Sequence, residues 1–306
     1  FFQAEDGIRD ALVGLVGSEM CIRDRLLAVY PLGSAAARIV ALGDIHGDLG
    51  AARKALRLAG AIDASDNWIG GELTVVQTGD ILDRGDEEQA IMDLFSRLKI
   101  DAAAAGGAVY ALNGNHELMN ARPDLRYVTE GGFTDFQDAV VIVKEDSLLL
   151  SYEPEQRARV AAFRPGGPYA LVLAEQPVIL VLEGNVFVHG GVTPMHIEYG
   201  IDRLNDEVRD WLLGKGEPPA FIHRSAGPTW NRNYSDEVDD EDCRELTEVL
   251  KALGAERMIV GHTVQDKGIA SRCDGQVWCI DAGMADYYGG TIEVLEIDGD
   301  EVRILR

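Results

Sequence analysis

The sequence predicts an α/β protein folded as a four-layer α-β-β-α sandwich with a helical cap insertion. Three observations predict it. From Arg38 to Leu112, short apolar runs alternate with amphipathic helical segments, the rhythm of strand–helix–strand units. Beyond about residue 178 the apolar runs are short and closely spaced, the mark of a second sheet. Each strand of the first half ends in a turn rich in Gly, Asp or Asn: GDIHGD, GDILDRGD and GNHE. Ligands gather beyond the carboxyl ends of strands in α/β sheets, so these turns are expected to converge.

Taken in order, Arg38–Gly43 reads as a buried strand and Leu49–Ala59 carries apolar residues at helical spacing. Leu73–Thr78 is a second strand, and Glu87–Leu98 a helix with Ile91, Leu94, Phe95 and Leu98 on one face. Ala108–Leu112 is a third strand. Residues 118–175 break the rhythm and read as a helical cap over the site, the place for substrate selection. Strand signals resume at Val178–Leu182 and Asn185–His189, parted by the tight-turn pair Glu183-Gly184. Helices are expected over Leu204–Leu213 and Cys243–Leu253. Short strands follow at Met258–Val260, Gly268–Ser271, Val277–Ile280, Ile292–Glu296 and Val302–Leu305, with Asp274-Gly275 as a hairpin turn. All of these later strands are assigned to the second sheet, within one domain over residues 38–306.

Composition narrows the function. The chain has 306 residues, 46% of them hydrophobic, enough for a sizeable core. With 52 acidic and 28 basic residues the net charge is −24, which repels phosphate backbones and argues against extended nucleic-acid binding. An acidic protein that handles phosphate must concentrate cations locally, as metals or a few arginines. No apolar run is long enough to span a membrane. Cys21, Cys243, Cys273 and Cys279 form no CxxC pair; a Cys273–Cys279 bridge is conceivable, but partly buried thiols are the simpler expectation. The acidic stretch SDEVDDED (235–242) reads as a solvated loop.

The first residues stand apart. QAEDGIRD (3–10) and VGSEMCIRDR (16–25) resemble conceptual translation of sequencing-library adapter DNA, so residues 1–25 are read as a non-native segment. LLAVYPLGSAAA (26–37) resembles the tail of an export signal, which favours an exported or periplasmic protein over the alternative of an ordinary apolar lead-in.

The strand-end turns carry the chemistry. Asp44 and His46, two apart at a strand end, project to one side, which suits either an ordinary turn or half a metal site. Asp80 follows the second strand as Asp44 follows the first, and a carboxylate has two oxygens with which to bridge two cations. Asp83 is placed to orient a neighbour, and Arg84 to clamp a phosphate oxygen with its planar fork. Asn115 offers an oxygen ligand; the adjacent His116, if free of metal, is a general acid. His189 in VFVHGG and His262 in MIVGHT occupy similar strand-end positions beside glycines. Any one of these histidines alone is a hydrogen-bonded core residue by default, but five such turns are hard to explain as independent accidents. Asp48, just before a helix start, is better read as its N-cap than as a ligand.

Together GDIHGD, GDILDRGD, GNHE, HGG and GHT resemble the calcineurin-like metallophosphoesterase superfamily, and within it the phosphoprotein phosphatases. NHELMNARPDLRYV, FVHGGVTP, GPTWNR, ERMIVGHTVQDKGIASRCDG and IDAGMADYYGG are similar to its Shewanella-like phosphatase branch. The resemblance runs from Arg38 to the end of the chain. It implies the four-layer sandwich and two metal ions, with Asp44 and His46 on the first, Asp80 bridging, and Asn115, His189 and His262 on the second. It implies further that a hydroxide bridging two metals about 3.5 Å apart attacks phosphorus in line. His116, oriented by Asp83, would protonate the departing oxygen, while Arg84, Asn115 and Arg232 contact the substrate; Arg224 is the alternative second phosphate clamp.

Nuclease and phosphodiesterase branches commonly read G-H-x-H where this chain has Val264, which favours monoester chemistry on phosphotyrosine or phosphoserine/threonine. Dinucleoside polyphosphate hydrolysis is the alternative activity, and a catalytically silent scaffold the non-enzymatic one; the complete ligand set and His116 argue against the scaffold. Oxygen and nitrogen donors without thiolates suit Mn²⁺ or Fe, with Zn²⁺ also possible. The expected partner is a phosphorylated protein or peptide. Deleting residues 1–25 is expected to leave unfolding temperature and phosphatase activity unchanged, and loss of either would identify the segment as native.

Overall fold

A computed structural model describes residues 38–142 and 146–306, so the readings of residues 1–25 and 26–37, and Cys21, lie outside the described residues. The order is β1 (Ile39–Leu42), α1 (Leu49–Leu58), β2 (Thr74–Gln77), α2 (Glu88–Ala104), β3 (Ala108–Ala111) and α3 (Asn115–Ala121). Then come α4 (Glu130–Thr134), two 3-10 turns (Gln137–Ala139 and Leu149–Ser151), α5 (Arg157–Phe163) and α6 (Pro168–Leu173). The second half holds β4 (Ile179–Leu182), β5 (Asn185–Val188), α7 (Pro194–Tyr199), α8 (Ile201–Leu212) and α9 (Asp240–Leu253). It closes with β6 (Arg257–Val260), β7 (Ala270–Arg272), β8 (Val277–Cys279), β9 (Val294–Asp298) and β10 (Glu301–Leu305).

Two mixed five-stranded sheets result, in the orders β10-β9-β1-β2-β3 and β4-β5-β6-β8-β7. Alternation along the strands builds the layers. Ile39, Ala41, Val76, Phe187, Ile259, Leu295 and Ile297 pack together with residues from both sheets. Their neighbours Val40, Leu42, Val75, Val186, Val188, Met258 and Val260 belong instead to the cluster that includes the helices. Parallel pairing aligns the strand ends that matter: Leu42 sits beside Gln77, Gln77 beside Ala111, and Val188 beside Val260.

Two expectations change. β9 and β10 do not extend the second sheet; β9 pairs antiparallel with β1, opposing Ile39 to Ile297 and Ala41 to Leu295. Leu295 and Ile297 fill the space between the sheets, and β9 satisfies the edge that β1 would otherwise expose. The cysteine reading is also corrected. Cys243 on α9 and Cys273 in the β7–β8 turn form a disulfide, while Cys279, the partner considered from sequence, lies buried within β8 as a free thiol. The hairpin does form around Asp274-Gly275, with Cys273, Asp274 and Gly275 all at positive φ. That conformation lets the turn place Cys273 against α9.

Helix boundaries shift for local reasons. α2 runs on to Ala104 through the DAAA sequence, where alanine's helix propensity carries the extra turns. α9 begins at Asp240, so the acidic stretch is a loop over residues 235–239 that runs into a helix start: Asp239 caps it, and Asp240, Glu241 and Asp242 sit in its first turn where the helix dipole favours negative charge. Asp48 caps α1, accepting from the Ala51 amide at 2.8 Å. Residues 118–175 contain only helices and 3-10 turns as regular elements among the described residues. No helix there or elsewhere in the described residues is long and apolar enough to cross a membrane.

The disulfide closes a loop across 30 residues. Cys243→Ala is expected to lower the free energy of unfolding by about 2–4 kcal/mol, measured by denaturant unfolding under non-reducing conditions.

Candidate active site

The aligned strand ends deliver their side chains to one crevice. Asp44 and His46 follow β1, Asp80 follows β2, Asn115 and His116 open α3 after β3, His189 follows β5 and His262 follows β6. All but His262 are less than 3% exposed. His46, Asp80, Asp83, Arg84 and His262 have φ between +47° and +68°, a region that non-glycine residues rarely adopt. Strain of this kind persists where surrounding structure over-determines it, and it clusters at functional sites. The backbone is also drawn tight: a Cβ on Gly114 would collide with the Asp80 carboxylate.

Asp80 is the hub. Its Oδ1 accepts from the His116 amide at 3.0 Å. Its Oδ2 lies 3.1 Å from His189 Nε2, 3.7 Å from His116 Nε2 and 3.8 Å from His46 Nε2. Asp44 is held similarly, Oδ1 accepting from the His262 amide at 3.1 Å while Oδ2 lies 3.8 Å from His46 Nε2.

Hydrogen bonds fix which ring nitrogen is free. His46 Nδ1 donates to the Leu82 carbonyl at 2.9 Å and His189 Nδ1 to the Thr78 carbonyl at 3.0 Å, leaving Nε2 of each neutral ring as the lone-pair nitrogen. His262 is the reverse: Nε2 donates to the Trp230 carbonyl at 3.1 Å, leaving Nδ1. Anchoring one ring nitrogen on a carbonyl is how ligating histidines are held. At His189 the bare nitrogen also faces Asn115 Oδ1 at 2.9 Å. Lone pairs from Asp80, Asn115 and His189 thus converge, and a metal cation is the charge that relieves them.

Two sets of three donors lie close enough to hold a metal ion, His46–Asp80–His116 and Asp80–His189–His262, and they share Asp80; Asp44, expected on the first metal, stands beside this set, its Oδ2 3.8 Å from His46 Nε2. The donor chemistry therefore fits a dinuclear centre. Burial pushes the His46 ring down to about 3 and lowers His262 too, keeping both neutral as ligands require. Burial, with Asp281 and Asp80 close by, holds the Asp44 carboxyl well above the usual range, the signature of acids crowded without enough positive charge.

His116 differs from the other imidazoles. Its Nδ1 donates to Asp83 Oδ2 at 2.6 Å. Burial pulls its pKa down, but Asp80 and Asp83 outweigh that and raise it. With Nδ1 engaged by Asp83, the ring turns Nε2 to the crevice, 3.7 Å from Asp80 Oδ2, the placement a proton donor needs. Arg84 donates to His46 Nε2 at 2.8 Å, using the lone pair that a metal would take, and also to the Tyr288 hydroxyl. Tyr127, Tyr287 and Tyr288 ring its guanidinium, 5.1, 5.6 and 5.2 Å from centroid to carbon. Arg232 donates to the His262 carbonyl at 3.1 Å and Thr263 Oγ1 at 2.7 Å, at the crevice edge. Arg224 sits exposed in the turn that follows Phe221.

Sequence reasoning missed several residues. Glu117 is the largest omission: buried, it accepts from the amides of Asp80 and Gly114 at Oε2 and of Ile81 and Leu82 at Oε1. It fastens the turn that carries Asp80 to the start of α3. Asp281, two residues beyond β8, joins the acidic cluster, and burial pushes it up to about 6. Its position just past a buried strand was the same signal that marked Asp44.

A four-layer sandwich whose strand ends bring together buried Asp, His and Asn donors around a shared carboxylate defines a metal-dependent phosphoesterase. A family model described as calcineurin-like phosphoesterase matches residues 37–266. The chain is 42% identical to Shewanella-like protein phosphatase 2 of Arabidopsis thaliana over 301 residues, covering 88% of this chain and 77% of that one. It is 28% identical to Shewanella-like protein phosphatase 1 of Plasmodium berghei, with 88% and 74% covered. A solved cold-active protein tyrosine phosphatase superposes with a TM-score of 0.72 at 26% identity, covering 88% of this chain and 76% of that one. The protein belongs to the calcineurin-like phosphoesterase family, in its Shewanella-like phosphatase branch.

A glutamine at 117 offers one acceptor oxygen where Glu117 uses two, so two of the four buried amides lose their partner. Glu117→Gln is expected to cost about 2 kcal/mol or more in urea unfolding and to weaken metal binding in a titration followed by calorimetry.

Proposed function

We propose that the protein is a dimetal protein phosphatase that hydrolyses phosphotyrosine in proteins, with phosphoserine/threonine as the second substrate class. The observation that carries the tyrosine reading is Arg84, a guanidinium beside the shared-carboxylate centre and walled by Tyr127, Tyr287 and Tyr288. A phosphoryl group on Arg84 would leave its aromatic ester group against those rings, whose faces pack well with another ring. The names of the relatives support the same reading, one of them a protein tyrosine phosphatase.

Asp44 and His46, with Oδ2 and Nε2 3.8 Å apart, would hold one metal, Asn115, His189 and His262 the other, and Asp80 both; the oxygen and nitrogen donors suit Mn²⁺ or Fe, with Zn²⁺ as the alternative. Bound metals supply Lewis acidity at the phosphoryl oxygens and a nucleophile at neutral pH. The chain's own residues do the rest. Arg84 orients the phosphoryl group and offsets its charge; Arg232, tied to the His262 carbonyl, does so from the other edge. His116 Nε2–H gives its proton to the departing ester oxygen, and Asp83 at 2.6 Å steadies the ring that charge leaves behind. The helical segment 118–175, which carries Tyr127, serves as the cap that selects substrates.

Activity toward a phosphotyrosine peptide is expected to vanish on chelation and to return with Mn²⁺ or Fe, metal content being read alongside. His116→Asn is expected to lower kcat on that peptide by about 100-fold or more. Turnover of diadenosine tetraphosphate without peptide turnover would instead identify a dinucleoside polyphosphate hydrolase.

A further inference from the structure

Arg159 on α5 is fully buried, yet it lies in the helical segment, outside every strand-end turn. All five of its N–H donors are used. Nε donates to Asn120 Oδ1 at 2.7 Å; Nη1 donates to the Gly132 carbonyl at 2.9 Å and to Glu88 Oε2; Nη2 donates to Glu88 Oε1 at 2.8 Å and to Asp83 Oδ1 at 3.0 Å. Phe136 and Phe163 close over the guanidinium, each ring centroid 5.4 Å away.

The contact with Asp83 has a chemical consequence. Asp83 Oδ2 holds the His116 ring, and on its own the carboxylate would be free to turn about its Cβ–Cγ bond. Its Oδ1 is pinned twice, by Arg159 Nη2 and by Asn120 Nδ2 at 2.9 Å. Asn120 also ties back to the His116 carbonyl at 2.9 Å and is itself held by Arg159 Nε. Both ends of the Asp83–His116 pair are therefore referred to one guanidinium. A buried ion cluster that served only to fill the core would have no need to converge on that pair.

We propose that Arg159 is a positioning residue for the proton donor: it fixes the plane of the Asp83 carboxylate and so aims His116 at the departing oxygen. The inference rests on the reading of His116 as the acid. It makes the helical segment part of the chemistry as well as a cover for the site, because the guanidinium is delivered by α5. A lysine cannot replace it: one ammonium has three donors and no planar fork, too few for the five hydrogen bonds that reach Asp83, Glu88, Asn120 and the Gly132 carbonyl.

The test uses the Mn²⁺-reconstituted enzyme with two phosphate monoesters, phenyl phosphate, whose leaving oxygen needs a proton, and 2,4-dinitrophenyl phosphate, whose does not. Arg159→Lys is expected to lower kcat on phenyl phosphate by about 10- to 100-fold with KM and bound metal unchanged, and to leave dinitrophenyl phosphate nearly unaffected. Because a lone buried carboxylate can unfold the protein, the pair Arg159→Met with Glu88→Gln provides a second variant, and thermal unfolding identifies which one is folded. An equal loss on both esters, or no loss, would make Arg159 purely structural and overturn the proposal. His116→Asn run in parallel separates the two readings: if it shows the leaving-group pattern and the Arg159 variants do not, only the positioning role fails. If His116→Asn loses both esters equally, the acid assignment fails and takes the positioning role with it.

Discussion

The site is organised around a single carboxylate that belongs to no single cluster. Asp80 sits in the left-handed region at φ 60°, with its amide on Glu117, one carboxylate oxygen on the His116 amide and the other facing three imidazoles. Burial alone would raise its pKa, but the His189 and His116 rings outweigh burial and hold it well below the usual carboxylate range. It is thus the charged partner of neighbours drawn from β1, β3 and β5. Moving it would misplace both donor groups at once, since each includes it.

That dependence explains where rigidity has been concentrated. Glu117 locks the Asp80 turn from below, and Gly114 allows the start of α3 to pass against the carboxylate. The neighbouring residues Asp83 and Arg84 share the positive φ of Asp80, so one strained turn presents a shared carboxylate, the carboxylate that holds His116 and the guanidinium that meets His46 together. Three such side chains on five residues leave little room for slack. The turn is correspondingly fastened by side chains from α2 and α3, Glu88 and Glu117 among them.

Much of this was legible because it was local. The donors stand in short strings at the ends of apolar runs, and parallel pairing then needs only to align those ends. What stayed hidden depended on partner choice across the fold. Nothing near Glu117 or Arg159 in the chain says that its acceptors or donors are four buried amides or a distant carboxylate. Cys243 meets Cys273 only because α9 packs beside the β7–β8 turn. The apolar alternation of Val294–Asp298 fits either sheet equally well, and its place beside β1 is decided by an open edge and by a gap that Leu295 and Ile297 can fill.

The return of β9 to β1 also bears on how the molecule comes into being. Arg38 and Glu296, which pair across that seam, are 258 residues apart. A strand that carries Asp44 at its end must therefore wait, during synthesis, for a partner translated long after the rest of its sheet. Contacts of such separation are slow to form, and the interval leaves an unpaired apolar edge open to wrong neighbours. Nascent chains of this protein would pass most of their synthesis with the first sheet incomplete, a natural window for chaperone engagement.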